Sequence, residues 1–544
     1  MMQPLRCWLL LSLITFIVIE TKKAPEGCFR AAVLDHVHQT NVRQLSDFAK
    51  IIELNFKVYE DAAALAKKQG ADIIVFPEDG LIYNIASREK ADEFASDIPD
   101  GETNACTLET KSVYNRLACL AQKHEIFVAA DLIDRKSCEE LGISNTSDSC
   151  PADKKFLFNT AVLFDRQGKL LGRYHKMHLF GEMTMNIPPK PELLVIDTEL
   201  GRLGMQICFD MIFKTPGHFL AEQNKFDTML FPTWWFDEAP MLSSSQYQMA
   251  WAFGNNVTLL ASNIHRVESS LLGSRGSGIY VGPHQTLATA LYDDSVERLV
   301  LANVPIKPRE TDKSVCPLDS EIIEVPQQIP IPNSVKYHHL NMNLLDVTLV
   351  ELSSKDSEFH ICYKGVCCQI EYRLAVKDQP RESWVDRVPL LANMLEYFTP
   401  EERYYLMVAN RTRPGTYRWT EEICAVVVCP SSRWNIGKVE KDCSQFGSNQ
   451  ELNSRFVYAK LRGAFSESTA VYPSAVGPKN QLINPENKWK YWKVNVPDKP
   501  EHFVELGAKD NPESKAIELS TLALYGRNYD LDPTYKQKPV PINL

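Results

Sequence analysis

Residues 25–315 predict an α/β layered domain, and residues 316–544 predict a β-rich domain stapled by disulfides. Three observations carry this expectation. Short, nearly continuous apolar runs alternate with amphipathic stretches up to about residue 310. A proline-rich stretch, VPQQIPIPNSV, then breaks the pattern. Beyond it come short strands such as DVTLVEL, FHICYKG and CCQIEYRL, with cysteines crowded among them.

Taken in order, RAAVLDHV is an apolar run fit for a buried strand. Residues 42–69 follow with Val42, Leu45, Phe48, Ile52, Phe56, Tyr59, Ala63 and Ala66 near helical spacing, and Gly70 closes that helix. DIIVFPEDG is a β-branched strand stopped by Pro77 and ending in two carboxylates. A helix over about 110–124 leads to the strand IFVAADLI. NTAVLFD and KLLGRYHK form a strand pair across Arg166, Gln167 and Gly168; LLVIDT and LGMQICF form another. TMLFPT, a helix through YQMAWAFGN, and the strands VTLLASN, GSGIYV and ERLVLANV complete the domain. Strands this uniformly apolar are covered on both faces, which places helices outside and catalytic groups at strand ends.

The chain has 544 residues, 44% hydrophobic, with 69 acidic against 59 basic residues and a formal charge of −10. No long single-sign block marks a nucleic-acid arm or a polybasic membrane patch. Residues 1–24, with Arg6 ahead of the apolar run CWLLLSLITFIVI, predict a secretory signal peptide; the run is short for a membrane span. No second such run or lipid-anchor tail follows, so the expectation is a secreted, extracellular protein without a stable membrane anchor. Sequons at Asn145, Asn256 and Asn410 agree with export, although Asn256 abuts an apolar strand and is expected to be enclosed.

Fourteen cysteines are present, and losing Cys7 with the signal leaves an odd number, so at least one has no partner within the chain. Cys106 with Cys119 and Cys138 with Cys150 are short-range candidates; Cys362, Cys367, Cys368, Cys424, Cys429 and Cys443 crowd the second domain.

Three strand ends present reactive groups: Glu78 and Asp79 in VFPEDG, Lys176 in RYHKMHLF, and Cys208 in QICFDMIF. A carboxylate to take the thiol proton, a thiolate to attack a carbonyl and an ammonium to hold the oxyanion suffice for amide cleavage. A lysine beside the thiol also favours the thiolate. Spacing alone does not choose between Glu78 and Asp79. Taken singly, each of these groups reads as a solvated strand end or a buried thiol.

The ordered trio FPEDG, YHKMHLF and CFDMIF resembles the Glu-Lys-Cys signature of the nitrilase superfamily. NTAVLFDRQGKLLGRYHK, FPTWW, LLASNIH and GSGIY, with ICYKGVCC and ALYGRNY in the second domain, resemble its secreted vanin and biotinidase branch, from about residue 28 to 527. The resemblance implies an αββα sandwich followed by a vanin-type domain, and cleavage of a linear amide of pantetheine or biotin through a cysteine thioester. It implies Glu78 as general base, Lys176 as oxyanion stabiliser and Cys208 as nucleophile, which also makes Cys208 the unpaired thiol. Phe209 would offer a second oxyanion donor through its N–H, and Glu182 in LFGEM would match the supporting glutamate. Trp234 stands where the branch usually has alanine, and Trp235 matches its aromatic; both are expected at the pocket.

No cofactor or metal is expected, and the expected partner is a small amide substrate, not a nucleic acid. His36 and His38 share a strand face and could hold zinc with His265 or His175, but no CxxC or HExxH frame supports this. The thiols of CYKGVCC are expected in disulfides. Two alternatives remain open from sequence: a non-catalytic carrier on the same fold, and an acyltransferase using the same thioester.

Overall fold

A computed structural model of the chain describes residues 23–38, 47–82, 87–107, 112–147, 149–265, 273–326, 340–352, 356–376, 401–415, 417–431, 452, 454–486, 488–496, 499–509 and 516–533. The N-terminal apolar run and Cys443 lie outside these residues. The first region contains β1 (Cys28–Asp35), α1 (Phe48–Lys68), β2 (Ile73–Val75), α2 (Arg88–Phe94), α3 (Val113–His124), β3 (Phe127–Ser137), β4 (Lys155–Phe164) and β5 (Leu170–His175). It continues with β6 (Val195–Thr198), β7 (Gly201–Met205), α4 (Phe219–Glu222), β8 (Thr228–Thr233), β9 (Glu238–Ala239), α5 (Ser244–Asn255) and β10 (Thr258–Asn263). β11 (Ser277–Val281), β12 (Thr286–Ala290), β13 (Arg298–Pro305) and β14 (Glu321–Glu324) close it.

These strands form a seven-stranded sheet, β14-β13-β1-β2-β3-β4-β5, and a six-stranded sheet, β12-β11-β10-β8-β7-β6. Alternation along β1 shows how the layers arise. Ala31 and Val33 face inward and pack with Leu203, Met205, Leu230 and Leu260 of the other sheet. Ala32 and Leu34 face outward onto Phe56, Tyr59 and Ala63 of α1 and Leu117 and Ala121 of α3. Burial on both faces removes any polar alternation from β1 and β2, so their sequences read as continuous apolar runs. The result is the nitrilase-type αββα sandwich. Of the helix expected over 42–69, α1 spans Phe48–Lys68, with Asp47 capping its N-terminus by accepting the Lys50 N–H, while residues 42–46 lie outside the described residues.

The second region runs from β15 (Leu340–Asn341) and β16 (Val347–Glu351) through β17 (Asp356–Tyr363), β18 (Val366–Val376), β19 (Glu401–Thr412), β20 (Thr420–Ser431) and β21 (Ser454–Ala464). β22 (Thr469–Val476), β23 (Trp489–Val494), β24 (Glu501–Gly507) and β25 (Thr521–Asn528) follow. They make two five-stranded sheets, β16-β19-β20-β25-β22 and β17-β18-β21-β24-β23. The two regions share one continuous apolar core. α5 explains why: residues 244–253 are all buried, because one side of the helix lies on the six-stranded sheet and the other on β22. Gly254 permits that approach, since a Cβ there would sit 2.6 Å from both Val471 O and a ring carbon of Tyr472.

Disulfides join Cys106 to Cys119, Cys138 to Cys150, Cys28 to Cys316, Cys362 to Cys367 and Cys368 to Cys424. Cys208 is the free cysteine among the described residues, and it is buried. No helix among those residues is long and apolar enough to cross a membrane. Of the sequons, Asn145 and Asn410 are half-buried and donate through their side-chain amides to Glu139 and to the Lys364 carbonyl. Asn256 is exposed, against expectation: it is the left-handed C-cap of α5, and burial resumes at Val257, just before β10 begins at Thr258.

Candidate active site

The site forms where the two sheets present adjacent strand ends. Glu78 follows β2 after Pro77, Lys176 follows β5, and Cys208 follows β7 in a short helical turn, residues 208–212. All three are buried, with 2%, 1% and 5% exposure. Cys208 adopts φ +41°, a left-handed conformation that costs a non-glycine residue about 1–3 kcal/mol and persists where surroundings dictate it. The surroundings here include Asp210, whose Oδ2 accepts the Ile207 N–H at 3.1 Å and the Tyr174 hydroxyl at 2.8 Å. Its Oδ1 accepts the His178 N–H and Nδ1 at 2.9 Å each. One carboxylate thus ties the Cys208 turn to both sides of Lys176.

Lys176 Nζ donates to Glu78 Oε1 at 2.6 Å and to Glu182 Oε1 at 2.5 Å. Asn159 Nδ2 donates to the same two oxygens at 2.9 and 3.3 Å, and Glu182 also accepts the Phe180 N–H. Residue Trp234 brings the remaining pair together through its main chain. Its N–H donates to Glu78 Oε2 at 2.9 Å, and its carbonyl accepts the Cys208 thiol at 3.6 Å. Buried Glu78, Lys176 and Cys208 therefore share one cluster with the half-buried Glu182. Asp79 turns away from it: with φ +53° its N–H donates to Asp131 Oδ1 at 3.0 Å.

Electrostatics inverts one expectation. Lys176 does lower the Cys208 pKa, but burial and then Glu78 outweigh it and push the thiol well above its usual range. The resting group is a thiol that needs a base. Burial also opposes the charge on Lys176, yet Glu182 and Glu78, with the sulfur, hold the ammonium well above its ordinary value.

The aromatic residues divide. The Phe209 ring is buried against Phe180, Phe213, Tyr417 and Trp419. Trp234 is half-buried, donates from Nε1 to Ser274 Oγ at 3.2 Å and packs on Phe236. Trp235 is core: its N–H donates to Asn263 Oδ1 and its Nε1 to the Leu242 carbonyl, so it supports the site from behind. Tyr417, from the second region, stacks on Phe180 at 4.9 Å, and burial and then Glu182 raise its pKa.

The histidines considered for zinc serve other partners. His36 Nε2 donates to the Gly80 carbonyl and Nδ1 meets Glu297; His265 donates to Asp35, and His175 lies between Asp134 and Glu192. Among the described residues these imidazoles form no converging ligand group. Sequence reasoning missed Asn159, Asp210 and Tyr417. Asp210 had a signal, two positions after Cys208; Asn159 and Tyr417 had none beyond a polar residue in an apolar strand and an aromatic in a loop.

The carbon-nitrogen hydrolase family matches residues 40–287, and the vanin C-terminal domain matches residues 337–532. A pantetheinase of Homo sapiens is 31% identical over 92% of this chain and 88% of its own length. One of Canis lupus familiaris is 30% identical over 98% and 95%. A biotinidase of Takifugu rubripes is 29% identical over 95% and 97%. Among solved structures, an amidase from Nesterenkonia sp. is 19% identical over 54% of this chain and 97% of that one, with a TM-score of 0.37.

Proposed function

Because the chain belongs to the carbon-nitrogen hydrolase family, as a member carrying the vanin C-terminal domain, we propose that its substrate is pantetheine, cleaved to pantothenate and cysteamine. It is a hydrolase of non-peptide amide bonds. Support for pantetheine is the similarity to pantetheinases along nearly the whole chain; the similarity to a biotinidase makes biocytin the control substrate.

One observation carries the mechanism: the main chain of Trp234 accepts the Cys208 thiol at its carbonyl and donates to Glu78 from its N–H. Base and nucleophile are therefore held on either side of one residue's backbone. Glu78 takes the thiol proton as sulfur bonds to the substrate carbonyl carbon, and the carbonyl electrons move to oxygen. Lys176 Nζ and the Phe209 N–H hold that oxyanion in a dry site, where fixed donors act strongly. Protonated Glu78 then gives its proton to the leaving nitrogen, the C–N bond breaks, and a thioester remains. Glu78 next deprotonates a water that attacks the thioester, releasing the acid and restoring the thiol. Glu182 anchors the Lys176 ammonium throughout.

We read the chain as exported, a reading supported by five disulfides among the described residues, since such bonds persist in oxidising compartments. The test of function is cysteamine release from pantetheine, and lysine release from biocytin, by the full chain beside Cys208→Ala. Turnover of pantetheine that falls by at least about 10⁴-fold in the variant is expected. A folded wild type that cleaves biocytin but not pantetheine would reassign the acyl group.

A further inference from the structure

The hairpin of β17 and β18 carries two disulfides in opposite surroundings. Cys367 and Cys368 are neighbours in the chain, so strand alternation sends their side chains to opposite faces of the sheet. Cys368 points inward with Ile370 and Tyr372 and bonds Cys424 of β20, which ties the two five-stranded sheets together within the core. Cys367 points outward and bonds Cys362, which lies directly opposite it on β17 and is exposed. The fold has little use for this outer bridge. A turn at Lys364 and Gly365, both with positive φ, already closes the hairpin, and β18 is paired with β21 from Cys367 to Val376. The bridged cysteines are 5 positions apart, so cross-linking them takes little entropy from the unfolded chain.

We propose that this hairpin, with its outer disulfide opened, binds a thiophilic divalent cation, zinc(II), through Cys362, Cys367 and His360, with a fourth position open to solvent. His360 is the exposed residue two positions before Cys362 on the same face of β17, and its Nε2 lies 3.6 Å from Cys362 Sγ. That nitrogen and both sulfurs lie within 4.8 Å of one another. Tetrahedral zinc, with bonds of about 2.3 Å to sulfur and about 2.0–2.1 Å to nitrogen, spaces such donors about 3.6–3.8 Å apart. The imidazole already stands at that spacing, and the freed sulfurs reach it when they relax to van der Waals contact. Glu358, the next outward residue along β17, adds negative charge beside the cation. Opening the bridge consumes two equivalents of a small thiol as reductant. The first attacks one sulfur as a thiolate, forms a mixed disulfide and expels the other cysteine; the second removes the first as a small-molecule disulfide, leaving two protein thiols. Zinc then displaces both thiol protons and takes the neutral imidazole at Nε2. The site is independent of the amidase reading.

The test uses the full chain, with cobalt(II) as the spectroscopic probe and zinc as its competitor. Limited treatment with a water-soluble phosphine, removed before metal is added, should free Cys362 and Cys367 ahead of Cys368 and Cys424, as read by alkylation and peptide masses. The reduced chain should then bind about one cobalt with the intense charge-transfer absorption of thiolate ligands, and zinc should abolish that band. His360→Ala should weaken cobalt binding at least about tenfold, since losing a ligand costs no less than losing a group that merely supports one. Cys362→Ser combined with Cys367→Ser should remove the band, whereas Cys208→Ala should keep it. Absence of the band in a chain whose Cys362 and Cys367 are free, or unchanged affinity in His360→Ala, overturns the site. Opening of the buried Cys368 bridge before the outer one overturns it as well, because the outer pair would then not come free in the folded chain.

Discussion

Two buried cations anchor this molecule in opposite ways. Arg527 in the second region is saturated and balanced. Its Nε donates to the Ile212 carbonyl at 3.0 Å, Nη1 to the Thr420 carbonyl and to Asp532, and Nη2 to Asp532 Oδ2 at 2.7 Å, with Tyr529 beneath the guanidinium. Lys176 is outnumbered: it faces Glu78, Glu182 and the Cys208 sulfur, with unmet atoms of Asn159 and Asp131 close by. The Arg527 pair leaves no guanidinium nitrogen unmet. A reactive one keeps surplus acceptors that only substrate, or a moving proton, can satisfy.

The contrast breaks first at Arg527. Ile212 ends the turn that begins at Cys208, so this guanidinium joins the second region to the turn that carries the proposed nucleophile. Arg527→Met would leave the half-buried Asp532 with the Thr420 N–H alone and take the guanidinium from the Ile212 and Thr420 carbonyls, and should cost about 1–3 kcal/mol in denaturant unfolding while lowering activity with it. An unchanged unfolding midpoint would mean that the pair is dispensable and that the domains hold together through α5 and β22 alone.

The charge surplus makes a second, smaller demand. With burial and Glu78 both opposing ionisation, Cys208 should react with iodoacetamide at pH 7 at least about tenfold more slowly than free cysteine, whose pKa is near 8.5. Because the folded pKa is raised, the rate should still climb at pH values where free cysteine has levelled. A plateau below pH 8 would show that Lys176 outweighs burial and that the resting site already holds a thiolate.

How far the sequence could be read follows from the same contrast. Glu78, Lys176 and Cys208 were legible as candidates because each ends an apolar strand, but Asp79 ends the same strand as Glu78, and only the resemblance to the nitrilase Glu-Lys-Cys order separated the two. The layers were legible because β1 and β2 are buried on both faces and lack alternation. Trp234 was legible as a ring, but its contact with the nucleophile and the base runs through main-chain atoms that any residue would supply. The thiol's direction of shift was misread because a nearby lysine is visible in sequence and desolvation is not. Tyr417 was invisible for another reason: it comes from a loop of the second region, and no local pattern says which strand ends it will cover.

Tyr417 yields the smallest effect and the sharpest question about that second region. Its ring stacks on Phe180 and meets Phe209 edge-on at 5.1 Å, and Glu182 is near enough to raise its pKa. Its contacts are thus with the aromatic residues around the cluster. An aromatic contact of this kind is worth about 0.5–1.5 kcal/mol. Tyr417→Leu should therefore raise KM for pantetheine about two- to tenfold with kcat unchanged. A fall in kcat at constant KM would instead assign the ring to positioning Phe209, whose N–H is the proposed oxyanion donor, and would move the second region from the rim into the chemistry.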